Sequence, residues 1–104
     1  DVDRALRGCN KKDPIIVAEH SPGLFDEPPS PEMPKPVFSL AGHTHGGQLA
    51  IGNKAIFTPP GSGRFVAGWY TTPWGELYVS KGIGTSVLPL RIGARPEISI
   101  FEIK

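Results

Sequence analysis

Short apolar runs, each closed by Gly or Pro, set the pattern of this chain. Residues 14–19, Pro-Ile-Ile-Val-Ala-Glu, are rich in β-branched side chains and follow the turn signal Asp13-Pro14. They read as a buried strand that ends just before His20. Residues 36–42, Pro-Val-Phe-Ser-Leu-Ala-Gly, read as a second buried strand running straight into His43-Thr44-His45-Gly46-Gly47. A short strand is expected over 48–51 and a loop over 53–63. A strand over 64–72, the turn Pro73-Trp74-Gly75 and a strand over 76–80 predict a hairpin. A glycine-punctuated loop fills 81–93. Residues 97–103 carry Ile98, Ile100 and Ile103, with Phe101 breaking the alternation, and read as a final strand. At the start, Val2, Ala5 and Leu6 share one face ahead of Gly8, the sign of a helix end. Five prolines between Pro28 and Pro36 make 22–36 an extended surface loop, since Pro suits neither helix nor central strand.

Composition narrows the class. The chain has 104 residues, enough for one domain with a core, and includes 13 Gly and 12 Pro. The longest stretch free of both is 97–104. That is shorter than the roughly 11–12 residues of an average helix or the roughly 20 of a membrane span. A helical bundle, a coiled coil and a transmembrane helix are thereby excluded. The 11 basic and 10 acidic residues leave a net charge of +1 with no basic stripe, so no nucleic-acid footprint is present. The single cysteine, Cys9, cannot form an internal disulfide and is expected to be inert. The chain opens in mid-pattern without Met, which suggests part of a longer protein.

The three histidines, His20, His43 and His45, all lie at or just beyond the expected carboxyl end of a strand. Ligands gather at that edge in sheets covered by helices. His43 and His45 are two apart, a spacing that points both side chains to one side if the backbone is extended. Gly42 before them and Gly46-Gly47 after them allow angles closed to other residues. Imidazole is the commonest neutral metal ligand, so His20, His43 and His45 are candidate metal ligands.

Three neutral imidazoles do not balance two divalent cations, which require carboxylates. Glu19 adjoins His20 but faces the other side of a strand. Asp26, Glu27 and Glu32 sit in the Pro-rich loop, and Glu76, Glu97 and Glu102 in strands without a glycine-aided site. Two readings stay open: one zinc held by three His and water, or a site whose acidic half lies elsewhere.

Gly42-His43-Thr44-His45-Gly46-Gly47-Gln48 resembles the last metal motif of the calcineurin-like metallophosphoesterases. Among these it is most similar to the membrane-associated bacterial phosphohydrolase branch. The run from Ile15 to His20, Ser21 and Pro22 resembles the preceding strand-His-x-Pro motif. Tyr78 to Ser86, Pro89-Leu90-Arg91 and Arg95-Pro96-Glu97-Ile98 resemble the branch's C-terminal signature. The resemblance covers about residues 1–103. It implies an α/β fold, the C-terminal half of a four-layer αββα sandwich, with this chain mostly β behind one short N-terminal helix. It places 1–104 in the C-terminal portion of a single domain whose N-terminal half, with the Asp-bearing motifs and the leaving-group His, is absent. His20 and His43 would hold one divalent ion and His45 the other, the metals being Mn, Fe, Zn or Co. The implied activity is hydrolysis of phosphate mono- or diesters or pyrophosphates, with water activated at a binuclear site. The implied substrates are lipid- or nucleotide-linked, and a cytoplasmic or peripheral membrane location in a bacterium suits the branch. The isolated chain would be inactive. Glu19 departs from the small or apolar residue usual before that His.

Other residues are read more plainly. Arg91 and Thr85 are candidate substrate-binding residues, because guanidinium matches phosphate and the Gly-rich loop around Thr85 offers N–H groups. Arg95 reads as a surface cation, Thr44 as a turn residue, and Gln48 as a turn support or ligand. Trp69, Tyr70 and Trp74 are expected in the hairpin core. A different class competes: a non-enzymatic β-rich binding module with a mononuclear histidine zinc site.

Overall fold

The computed structural model describes residues 2–10, 12–52 and 54–104, the side chain of Asp3 excepted. The expected helix start at Asp1 and loop start at Asn53 lie outside the described residues. The elements are helix α1 (Val2–Ala5), strand β1 (Ile16–Glu19), a 3-10 turn at Pro22–Asp26, β2 (Phe38–Ala41) and a second such turn at His45–Gly47. Strands β3 (Ala50–Ile51), β4 (Lys54–Ala55), β5 (Gly68–Thr72) and β6 (Gly75–Val79) follow. The described chain is mostly sheet and turn. Among its described residues no helix is long and apolar enough to cross a membrane.

Four strands form one sheet in the order β1-β2-β6-β5, and β3 and β4 pair separately. β1, β2 and β6 run parallel, and β5 closes the sheet antiparallel to β6. The expected hairpin is present, although its first strand begins at Gly68 rather than 64. The register Ser39–Leu77 and Ala41–Val79 sets Ser39, Ala41, Leu77 and Val79 on one face. All four are buried there. Phe25, Phe65 and Trp74 complete this core, with Val17, Met33 and Tyr70 packed at its margin.

Four expectations change. Ile16 is 42% exposed, because β1 is an edge strand here rather than a buried one. The Pro-rich segment 22–36 is not all surface: Pro22 and Phe25 are buried, and Phe25 meets the Trp74 ring edge-on at 5.4 Å. The Trp74 indole N–H donates to Glu27 O at 2.8 Å, tying that loop to the hairpin turn. Trp69 is 55% exposed rather than core, since its register partner Tyr78 faces away from Leu77. Residues 97–103 form no strand. They cross the outer face of the sheet, where Phe101 packs against Phe38, Trp69 and Tyr78 at 5.1–6.0 Å. The residue that broke the alternation is the anchor of that segment.

Glu97 fastens the start of this crossing. It accepts hydrogen bonds from the Tyr78 hydroxyl and from Ser99 Oγ (2.8 Å) and pairs with Lys81 Nζ at 2.9 Å. Burial pushes the Glu97 carboxyl up, but the bonds from Tyr78, Lys81 and Ser99 outweigh it and leave the pKa below the ordinary value of 4.5. The hydrogen bond to Glu97 raises the Tyr78 phenol above 10.0. A depressed carboxyl stabilises the fold above its unfolded pKa, and that contribution disappears as pH falls through the folded one. Denaturant titrations should therefore show a stability component lost below about pH 4.5 and absent in Glu97→Gln. Equal acid dependence in both proteins would contradict this assignment.

Candidate metal centre

The parallel register puts Glu19 opposite Ala41, so the chain leaves β1 and β2 at the same carboxyl edge. Gly42 N–H donates to His20 O at 3.3 Å across that edge. The rings of His20 and His43 consequently meet, with centroids 4.5 Å apart. His43 Nε2 lies 2.8 Å from Pro60 O. A carbonyl only accepts, so Nε2 carries the proton and the Nδ1 lone pair is left for another partner.

The backbone that carries His43 and His45 is not extended. His43, His45 and Gln48 have φ of +67°, +51° and +49°, and Gly46 and Gly47 of +63° and +77°. Non-glycine residues in this region cost roughly 1–2 kcal/mol each and cluster at functional sites. On this coiled path His45 Nδ1 faces Gly84 O at 3.3 Å. Its Nε2 is the lone-pair nitrogen by the same logic. Thr44, expected only to fill the turn, braces it: its buried hydroxyl donates to Val66 O at 2.6 Å and accepts from Gly46 N–H at 3.3 Å.

Gln48 joins the turn to the 81–94 segment. Its Nε2 donates to Leu88 O and its Oε1 accepts from Ser86 N–H, each at 2.8 Å. The Arg91 guanidinium is bound to main-chain carbonyls. Nε donates to Ala94 O, Nη1 to Gly82 O and Gly84 O, and Nη2 to His45 O and Lys81 O. All five N–H groups of a guanidinium are thereby engaged. Thr85 is exposed on the same loop, beside Gly84. The Glu19 carboxylate accepts from Ser21 N–H at 3.4 Å. Residues 59–63, part of the loop expected over 53–63, form the wall beside His43. Gly61 O accepts from Gly23 N–H at 2.8 Å, and a side chain at Gly61 would press on Ser21.

The donor set fits part of a metal site. Among the described residues no three His, Cys, Asp or Glu side chains gather to hold an ion. What is present is a contacting pair of imidazoles, His20 and His43, and a third, His45. Those of His43 and His45 each have one nitrogen tied to a backbone carbonyl. Metal-binding histidines almost always donate their second N–H in this way, which fixes tautomer and ring orientation.

Three curated proteins are similar to this chain. The uncharacterized metallophosphoesterase YkuE of Bacillus subtilis is 44% identical over 66 residues, 62% of this chain and 23% of its own length. Phosphodiesterase YaeI of Escherichia coli is 34% identical over 95 residues, 86% of this chain and 32% of its own. The transmembrane protein with metallophosphoesterase domain of Danio rerio is 34% identical over 106 residues, 100% of this chain and 23% of its own. The chain belongs to the metallophosphoesterase family. It spans between about a quarter and a third of the length of these relatives. No protein-family model matches the chain, and no solved structure matches it significantly. The family name itself implies dependence on a divalent metal.

Proposed function

We propose that this chain supplies the histidine side of a binuclear metal site in a phosphoesterase that hydrolyses phosphate mono- or diesters or pyrophosphates. The observation that supports it best is the pair of ring-to-carbonyl bonds, His43 to Pro60 O and His45 to Gly84 O, which leave one nitrogen of each ring open. His20 and His43 would hold one divalent ion and His45 a second, with carboxylates from the portion of the protein outside this chain. Divalent ions such as Mn, Fe, Zn or Co, when bound, supply Lewis-acid polarisation of phosphoryl oxygens and ready ionisation of water. The chain's own residues fix the ring tautomers, hold the turn in its left-handed path and close the walls around it.

The same reading makes residues 1–104 one portion of a four-layer αββα domain. β1 supports it: parallel strands are ordinarily covered on both faces, yet β1 lines an open groove of about 1040 Å³ with α1 and the 3-10 turn. The substrate would be an ester with a sizeable apolar part, lipid- or nucleotide-linked. An apolar hollow of about 290 Å³ beside His45, walled by Leu49, Phe57, Pro59, Val87 and Leu88, favours that class.

The complete protein supplied with Mn²⁺ or Zn²⁺ is expected to hydrolyse bis(p-nitrophenyl) phosphate. Chelation should abolish turnover and the return of metal should restore it, while chain 1–104 alone shows none. Turnover that survives exhaustive chelation, or no turnover with any of the four metals, would overturn the reading.

A further inference from the structure

The guanidinium of Arg91 reaches His45 at two points. Nη2 donates to the His45 main-chain carbonyl at 2.9 Å, and Nη1 donates to Gly84 O, the same oxygen on which the His45 ring rests. The other donors go to Lys81 O at 2.8 Å, Gly82 O at 3.2 Å and Ala94 O at 2.7 Å. One side chain thus binds the backbone of His45, the oxygen that orients its ring, and the segment that carries that oxygen. The pattern needs a planar fork with five donors; lysine offers three from a single point. His45 has need of such support, because its φ of +51° is one a non-glycine residue seldom adopts.

We propose that Arg91 is a positioning residue that fixes both the backbone and the ring azimuth of His45, and does not itself bind the phosphoryl group. Gln48 acts beside it as a second tie to the same segment through Ser86 and Leu88. The proposal rests on the metal-site reading for its catalytic consequence, but its geometry is testable without it.

The test compares Arg91→Met and Arg91→Lys with the wild type in the complete protein. Three quantities are read: Mn²⁺ affinity by calorimetry, kcat and KM on bis(p-nitrophenyl) phosphate, and amide exchange at Gln48, whose N–H donates to His45 O at 3.0 Å. Arg91→Met should weaken Mn²⁺ binding and lower kcat by about 10–100-fold, the range for loss of a residue that orients a ligand, with KM little changed. Exchange at Gln48 should accelerate, and Arg91→Lys should fall between the two proteins. If Arg91→Met does not fold, Arg91→Lys carries the same comparison. A raised KM with unaltered Mn²⁺ affinity and exchange would make Arg91 a phosphate contact and overturn the proposal. If the wild type turns over no ester with Mn, Fe, Zn or Co, the phosphoesterase reading fails by itself. Exchange at Gln48 then decides for Arg91, and equal rates in wild type and variant would refute the clamp.

Discussion

Replacing His43 by alanine should lower phosphodiester hydrolysis by the complete protein more than about a hundredfold. Loss of a residue that merely orients a metal ligand costs about 10–100-fold, so loss of the ligand itself should exceed that range. The substitution removes the imidazole whose Nε2 bonds Pro60 O and whose ring contacts His20 at 4.5 Å. His20 would then lack its neighbour for sharing an ion, so Mn²⁺ affinity should fall along with kcat. Stability should hardly move, because His43 is partly exposed and alanine meets the same φ of +67°. His43→Gly gives an independent check: it removes the ring and also the left-handed strain, so it should be equally inactive yet no less stable than the alanine variant. An alanine variant that keeps activity within a few-fold of wild type, with metal affinity intact, would remove His43 from the site. A variant that loses both activity and folded structure would point to a packing role, and His43→Gly separates that outcome from ligand loss.

How far the sequence foretells this site depends on which atoms carry the information. β1 and β2 are legible because β-branched apolar runs bounded by turn residues leave few alternatives, and their parallel pairing brings His20 and His43 to one edge. The hairpin is legible from Pro73-Trp74-Gly75. The role of the 81–94 segment is not, since it acts on Gln48, His45 and Arg91 through the carbonyls of Lys81, Gly82, Gly84, Leu88 and Ala94. Backbone oxygens are the same in every residue and leave no mark in the letters. The path of the His43–Gln48 turn escaped for a related reason. Gly46-Gly47 signals freedom, but the turn with left-handed angles at His43, His45 and Gln48 is held by Val66, Pro60, Arg91 and Ser86 from elsewhere in the chain. Phe25 stands alone in an aperiodic segment, and Phe101 falls outside the alternation of 97–103, so the packing of each follows from the tertiary path rather than from spacing.

Gly47 packs tightly against Ala55 of β4, and Gly47→Ala should destabilise the fold by about 2–5 kcal/mol. Two effects add. The φ of +77° is strained for any residue with a Cβ, worth roughly 1–2 kcal/mol. The new Cβ would sit 2.2 Å from Ala55 Cβ, 2.9 Å from Ala55 Cα and 3.2 Å from Phe57 O, and forced overpacking costs about 1–3 kcal/mol more. Gly52→Ala isolates the first effect, because its φ is +61° and nothing lies within 4 Å of its added Cβ. Denaturant unfolding of the two variants should thus differ by the clash alone. Ala55→Gly in the Gly47→Ala background removes the worst contact and should recover part of the loss, a coupling that a double-mutant cycle reads directly. Activity should fall with stability in Gly47→Ala but not in Gly52→Ala, since relief of the clash moves β4 away from the turn that carries His45. If Gly47→Ala unfolds within about 0.5 kcal/mol of wild type, as an unconstrained surface position would, then β4 does not press on this turn and the path assigned to His45 loses its support.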